Sequence, residues 1–132
     1  MIGGEPSKYE TLGVIGRGGM ATVFIGRARG AGGFRRLVAI KRAHAHVRQG
    51  GPLAMSMKHE AELAARLHHP NVVRVIDVIE EAEALVLVLD YIEGGSLTEL
   101  LTGAALTDAR ARARVVLRIV LDVAAGLDAA HR

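Results

Sequence analysis

Residues 15–41 read Ile15-Gly16-Arg17-Gly18-Gly19-Met20-Ala21-Thr22-Val23-Phe24, then a turn, then Val38-Ala39-Ile40-Lys41. Gly16 and Gly18 carry no Cβ, so the backbone there can approach a bulky anion closely. Thr22, Val23, Phe24 and Ile25 are β-branched or aromatic, so the chain leaves this loop as a strand. Gly30, Gly32 and Gly33 turn it, and Leu37 to Ile40 reads as the return strand, ending in Lys41. The expected product is a hairpin that folds a glycine flap over a site and delivers a lysine to it. A dinucleotide fingerprint would instead open a helix after its glycines. A Walker loop would need Gly-Lys-Ser/Thr directly after the loop, and none is present.

Outward from the hairpin, Tyr9 to Ile15 reads as the strand that leads into the loop. Residues 1–8 contain glycine and proline and read as a flexible tail. After Gly50, Gly51 and Pro52, apolar residues recur at Leu53, Met57, Ala61, Ala64 and Leu67, which predicts an amphipathic helix. Pro70 marks its far boundary. Val72 to Ile79 and Leu85 to Leu89 are β-rich runs separated by an acidic turn, Glu80-Glu81-Ala82-Glu83. The order fits a small antiparallel sheet with one helix against it. Ser96 to Leu101 reads as a short helix with a capping box from Ser96 to Glu99. Thr107 is the expected cap of a long helix, with Asp108 favourable near its N-terminus. Arg110, Arg114, Arg118 and Asp122 form one polar stripe on that helix, and nearly all else is apolar, as in a helix buried within a larger body.

The combined pattern Gly16-x-Gly18-x-x-Ala21-x-Val23 with Val38-Ala39-Ile40-Lys41 resembles the ATP-binding half of a bacterial-type serine/threonine protein kinase. One position departs, since Ala21 stands where the family's third glycine usually falls. The resemblance implies an α+β fold: a kinase N-lobe of about five twisted antiparallel strands plus helix C over 9–90, a hinge over 91–95, and the first C-lobe helices, D and E, over 96–132. It implies ATP as the nucleotide, a protein substrate in the complete family, and Mg²⁺. The nucleotide-binding residues it implies are Ile15, Gly16, Arg17, Gly18, Gly19, Met20, Ala21, Thr22, Val23, Ala39, Lys41, Leu89, Asp90 and Ile92. Leu89 takes the gatekeeper place; the Asp90 carbonyl and the Ile92 N–H would meet the adenine edge. Ile15, Val23 and Ala39 would enclose the ring, although ordinary sheet core accounts for such apolar residues equally well. Ser96 falls near the ribose position.

Lys58-His59-Glu60-Ala61 followed by His69-Pro70-Asn71 is similar to the family's helix C segment. There the glutamate pairs with the strand lysine and holds it toward the nucleotide phosphates, making Lys41 and Glu60 the expected phosphate-positioning pair. Such a partner suits a lysine, whose flexible stem needs fixing. The alternative is that Glu60 is one exposed helical carboxylate among several. The family's catalytic loop, His-Arg-Asp, and its Asp-Phe-Gly metal ligand are absent from these residues. His131-Arg132 lies on the helical pattern with no aspartate after it. The expectation is therefore an ATP-binding portion that is inactive alone, truncated before the catalytic loop. A different class of reading is a non-catalytic nucleotide-binding or interaction module that self-associates or docks through helix 107–132.

The 132 residues suffice for one modest domain, and 17 basic against 14 acidic residues give a net charge of +3. Arg35, Arg36, Lys41 and Arg42 cluster, as do Arg110, Arg112 and Arg114. Both read as solvated faces, and with 3% aromatic residues to stack on bases, no nucleic-acid partner is expected. His68 and His69 have no second ligand pair at metal spacing, so no metal site is expected. No cysteine, leader pattern or spanning apolar run is found, which makes the cytoplasm the expected compartment, with no membrane partner.

Overall fold

Twin requirements shape the first half of the chain: each strand must pair its backbone groups, and each must bury one face. The computed structural model describes residues 8–44, 51–81, 84–103 and 107–132. The expected tail therefore lies outside the described residues except for Lys8, as do positions 82 and 83 of the expected acidic turn. Five strands form one sheet: β1 (Tyr9–Arg17), β2 (Ala21–Arg29), β3 (Arg35–Ala43), β4 (Val75–Glu81) and β5 (Ala84–Asp90), in spatial order β1-β2-β3-β5-β4. Every neighbouring pair is antiparallel. A short 3₁₀ turn, Ala31–Gly33, joins β2 to β3. The helix α1 (Pro52–Arg66) packs against β4 and β5. The return strand runs longer than its apolar core suggested, because Arg35 and Arg36 still pair with Arg29 and Ala28. Glu80 and Glu81 belong to β4 and not to a turn, because they pair with Leu85 and Ala84.

Alternation assigns each side chain to a face. One face carries Val38, Ile40, Val86 and Val88, with Val38 and Val88 fully buried, packed against Tyr9, Phe24, Ala28, Ile76 and Ile79. Among the described residues no helix covers it; the sheet curls and covers it with its own edges. Register shifts between Thr11 and Gly13, between Val14 and Gly16, and between Val75 and Asp77 place bulges on both edge strands. Bulges raise local twist. The two edges meet where the Tyr9 hydroxyl donates to Asp77 Oδ2 at 2.7 Å and Lys8 Nζ lies 3.1 Å from the same oxygen. Gly26 is needed inside this curl, because a Cβ there would lie 2.4 Å from Ile40 Cδ1 and 2.9 Å from the Glu10 carbonyl oxygen. The opposite face carries Ala43, Leu85, Leu87 and Val78, packed against Ala54 and Met57 of α1.

The chain divides into two compact units, and β1 to α1 with β4 and β5 make the first. The second contains Leu67–Val73 and Ile92–Arg132. Its helices are α2 (Leu97–Thr102) and α3 (Ala109–His131). Both halves of the capping box form: the Ser96 hydroxyl accepts from the Glu99 N–H at 3.1 Å, and the Glu99 carboxylate accepts from the Ser96 N–H. The cap of α3 is Asp108 and not Thr107, its carboxylate accepting from the Arg110 and Ala111 N–H groups, each at 3.2 Å. A charged carboxylate at this position satisfies two orphan donors and meets the positive end of the helix dipole. Residues Ala111, Val115, Ile119, Asp122, Gly126 and Ala129 form the less exposed stripe of α3. There the Asn71 side chain donates to the Asp122 carbonyl at 2.9 Å, and a Cβ on Gly126 would lie 3.2 Å from Val72 Cγ2. Among the described residues no helix is long and apolar enough to cross a membrane.

The edge closure has a pH signature. Tyr9's hydrogen bond, and then Lys8, hold the Asp77 carboxyl below its ordinary value, while burial pushes the Tyr9 hydroxyl up. A carboxyl depressed in the folded state stabilises fully above its unfolded value of about 3.9, and that contribution disappears as pH falls through the folded value. Tyr9→Phe is expected to cost about 0.5–1.5 kcal/mol at neutral pH. The difference between wild type and variant should shrink below about pH 4. Urea denaturation of both chains at neutral pH and under acid conditions measures this.

Candidate functional site

Above α1's packing surface, the same sheet face presents two cross-strand rows. Val23, Lys41 and Leu87 form one, and Ile25, Ala39 and Leu89 the next. Lys41 thus stands on the α1 side of the sheet, half-buried, and forms no ion pair among the described residues. A cavity of about 440 Å³ opens beside it, lined by Gly16, Arg17, Gly18, Gly19, Met20, Ala21, Val23, Lys41 and Met57. Eight of these nine are among the sequence-predicted site residues; Met57, from α1, is the addition.

The turn from β1 to β2 forms one wall of the cavity. The Gly18 N–H donates to the Ala21 carbonyl at 2.9 Å, which closes the turn. Among the described residues no acceptor meets the N–H groups of Gly19 and Met20. Two amide donors and an ammonium left without partners there, on one cavity, are chemically suited to meet an anion. The glycines point the same way. A Cβ on Gly16 or Gly18 would meet nothing closer than 3.6 Å, and one on Gly19 meets nothing within 4 Å. None of the three has a positive φ. The fold itself therefore tolerates side chains at these positions, unlike Gly26. What the glycines keep clear is the space outside the turn.

The other expected residues are placed as follows. Ile15 is the bulged residue between Val14 and Gly16, 51% exposed, and does not line the cavity. Thr22 is buried and hydrogen-bonded to His44 Nε2 at 2.9 Å. Ala39 is buried, and Leu89 and Asp90 are half-buried at the end of β5. The Asp90 N–H donates to the Arg74 carbonyl at 3.0 Å and its carboxylate pairs with Arg36. Ile92, in the second unit, is 65% exposed. Glu60 is exposed and accepts a long hydrogen bond, 3.5 Å, from Ser56 Oγ; no ion pair joins it to Lys41. Met57, three residues earlier on the helix and hence its neighbour on one side, does reach the cavity. Ser96 is engaged as a helix cap.

A second cavity of the same unit, about 490 Å³, is lined by Ala54, Met55, Lys58, His59, Glu62, Glu80 and Leu85. Its cation is already neutralised, since Lys58 pairs with Glu80, whose hydrogen bond raises the lysine pKa. It offers an anion far less than the glycine turn does. Among the described residues no group of three or more histidines and carboxylates is placed to hold a metal.

His44 escaped the sequence reading. Its N–H donates to the Met20 carbonyl at 2.8 Å, and its ring Nδ1 lies 3.2 Å from the Gly19 carbonyl oxygen. The ladder register held the clue: with Ala43 opposite Ala21, the next residue must fall beside the turn.

The family model for the protein kinase domain matches residues 9–132. The chain therefore belongs to the protein kinase domain family. Among its relatives, the serine/threonine-protein kinase pkn2 of Myxococcus xanthus is 34% identical over 94% of this chain. The tyrosine-protein kinase MasK of the same organism is 32% identical over 93% of it. Among solved structures, the PknI kinase domain of M. tuberculosis matches 95% of this chain with a TM-score of 0.76 and 28% identity. The chain spans 14% and 19% of the length of the two Myxococcus relatives and 48% of the PknI kinase domain chain.

A fold that does not need the turn glycines makes a measurable distinction. Gly18→Ala and Gly19→Ala should each leave stability within about 1 kcal/mol of wild type, whereas Gly26→Ala should cost about 1–3 kcal/mol through overpacking. Denaturation midpoints of the three variants test it.

Proposed function

We propose that this chain is the ATP-binding portion of a serine/threonine protein kinase, which in its complete form transfers the γ-phosphate of ATP to a protein hydroxyl. The observation that carries this reading is the juxtaposition of Lys41 with the amides of Gly19 and Met20, which have no acceptor among the described residues, on a turn whose glycines the fold does not require. Phosphoryl transfer depends mostly on positioning and on stabilising charge. In this reading Gly16, Arg17, Gly18, Gly19, Met20, Ala21 and Thr22 supply the flap, mainly through main chain. Lys41 supplies the point charge for the phosphates. Ile15, Val23 and Ala39 enclose adenine, and Leu89, Asp90 and Ile92 belong to its edge. Glu60 is the partner that steadies Lys41, reached by a shift or rotation of α1 from the arrangement seen here. Mg²⁺ would neutralise phosphate charge, but the Asp-Phe-Gly and His-Arg-Asp segments that hold and use it in the family are not among these 132 residues.

Binding without transfer is the expected result for the 132-residue chain by itself. Lys41→Met should weaken ATP about tenfold, on the order of 1.4 kcal/mol, and adenosine much less. Calorimetry with ATP and adenosine measures the first part; label transfer from γ-labelled ATP to a generic basic protein measures the second. Equal loss for both ligands would remove Lys41 from the phosphate role. Transfer above the Lys41→Met control would overturn the expectation that the chain lacks a base and a metal ligand.

A second reading rests on α3. Val116, Val120, Val123 and Leu127 recur at helical spacing along its exposed side, each at least 37% exposed. We infer that this stripe mediates association, with a second copy or with kinase segments that follow in the complete family. Val116→Glu with Val120→Lys should raise the monomer fraction in sedimentation at tens of micromolar. A wild-type chain that is already monomeric there argues against self-association.

A further inference from the structure

We propose that His44 is a positioning residue that aims the Met20 amide at the bound phosphates, a role that rests on the nucleotide reading above. Lys41 and Ala43 share the α1 side of the sheet, so Arg42 lies on the opposite side with its register partner Thr22. His44 bonds to that Thr22 hydroxyl at 2.9 Å, and so reaches the turn from behind, on the side away from Lys41. Its ring Nδ1 meets the Gly19 carbonyl oxygen at 3.2 Å. A carbonyl has no proton to give, so Nδ1–H is the donor there, and in the neutral ring Nε2 accepts from Thr22 Oγ1–H. The buried Thr22 hydroxyl thereby fixes the ring, and the ring fixes the Gly19 carbonyl.

The geometry of the peptide bond does the rest. The Gly19 carbonyl and the Met20 N–H belong to one peptide plane, and that peptide is not cis. In a trans peptide the C=O and N–H point in opposite directions. Holding the Gly19 oxygen toward His44 therefore turns the Met20 N–H away from it, toward the side that carries Lys41. That N–H is one of the two donors of the cavity wall with no acceptor among the described residues. The His44 main-chain bond to the Met20 carbonyl, 2.8 Å, pins the next peptide as well. A flexible glycine turn is thus given one preferred peptide orientation before any ligand arrives, which lowers the ordering cost of binding.

Three variants of the full chain test this. In His44→Asn the amide nitrogen can stand in for Nδ1; in His44→Gln the donor is displaced toward the Nε2 position; His44→Ala has neither. Calorimetric titration with ATP, tripolyphosphate and adenosine should show ATP and tripolyphosphate weakened about five- to tenfold in Ala and Gln. Asn should stay within about threefold of wild type, and adenosine should be unchanged throughout. The ¹⁵N order parameter of the ligand-free Met20 amide should be high in wild type and Asn and reduced in Ala and Gln. Equal ATP affinity and an equal Met20 order parameter in wild type, Ala and Gln would overturn the role of His44. A folded wild type that binds neither ATP nor tripolyphosphate overturns the nucleotide reading instead, and the ligand-free order parameters still decide whether His44 holds the turn.

Discussion

The bond from the Tyr9 hydroxyl to Asp77 joins the first strand of the sheet to its opposite edge, 68 residues along the chain. The first unit's architecture follows from that closure. A five-stranded sheet has two faces to bury and, among the described residues of the unit, a single helix to bury them with. Curling the sheet until its edges meet covers the Val38–Val88 face with the protein's own strands. The bulges at Leu12, Ile15 and Ile76 supply the extra twist, and Gly26 leaves room for Ile40 inside the curl. The other face is then left for α1 along β4 and β5, and for a cavity beside Lys41.

That cavity is defined by what it leaves unsatisfied. Several charges elsewhere in the unit are paired: Glu10 with Arg27 and Arg29, Asp90 with Arg36, Glu81 with Arg42, Glu80 with Lys58. No buried side-chain polar atom of the described residues is left without a partner. What sets this cavity apart is that Lys41 and the Gly19 and Met20 amides, none with a partner among the described residues, lie together on it. Polar groups held ready in advance stabilise charge without reorganising when it arrives. Lys41 has no carboxylate partner among the described residues, and its neighbours across the sheet row are Val23 and Leu87.

The second unit rests on a different economy. Asn71, from the His-Pro-Asn stretch, spends its side chain on the Asp122 carbonyl, and Val72 fits against Gly126 one turn further on. These contacts explain why Leu67–Val73 groups with α3 although α1 and β4, on either side of it in sequence, belong to the sheet. The polar stripe foreseen on α3 contains one close pair, Arg118 with Asp122 at 2.9 Å.

The sequence by itself determined the elements and the identity of the fold. Alternation and glycine placement announced the hairpin, the 3.6-residue period announced α1, and Gly16, Gly18, Val23 and Lys41 sufficed for the family resemblance, because these features are local and each has a local physical cause. Cap identity lay at the limit of such reading, since Thr107 and Asp108 are both good caps and the backbone path decides between them. Only the tertiary structure decided which faces are sealed, because bulge positions and edge-to-edge contact depend on partners distant in sequence. It alone separated Gly26, which the core requires, from Gly16, Gly18 and Gly19, which it does not. It also decided that Glu60 and Lys41 stand apart in this arrangement, and that His44 stands beneath the turn. Both outcomes turn on register and side-chain rotation across paired strands and a packed helix. No window of sequence contains those quantities.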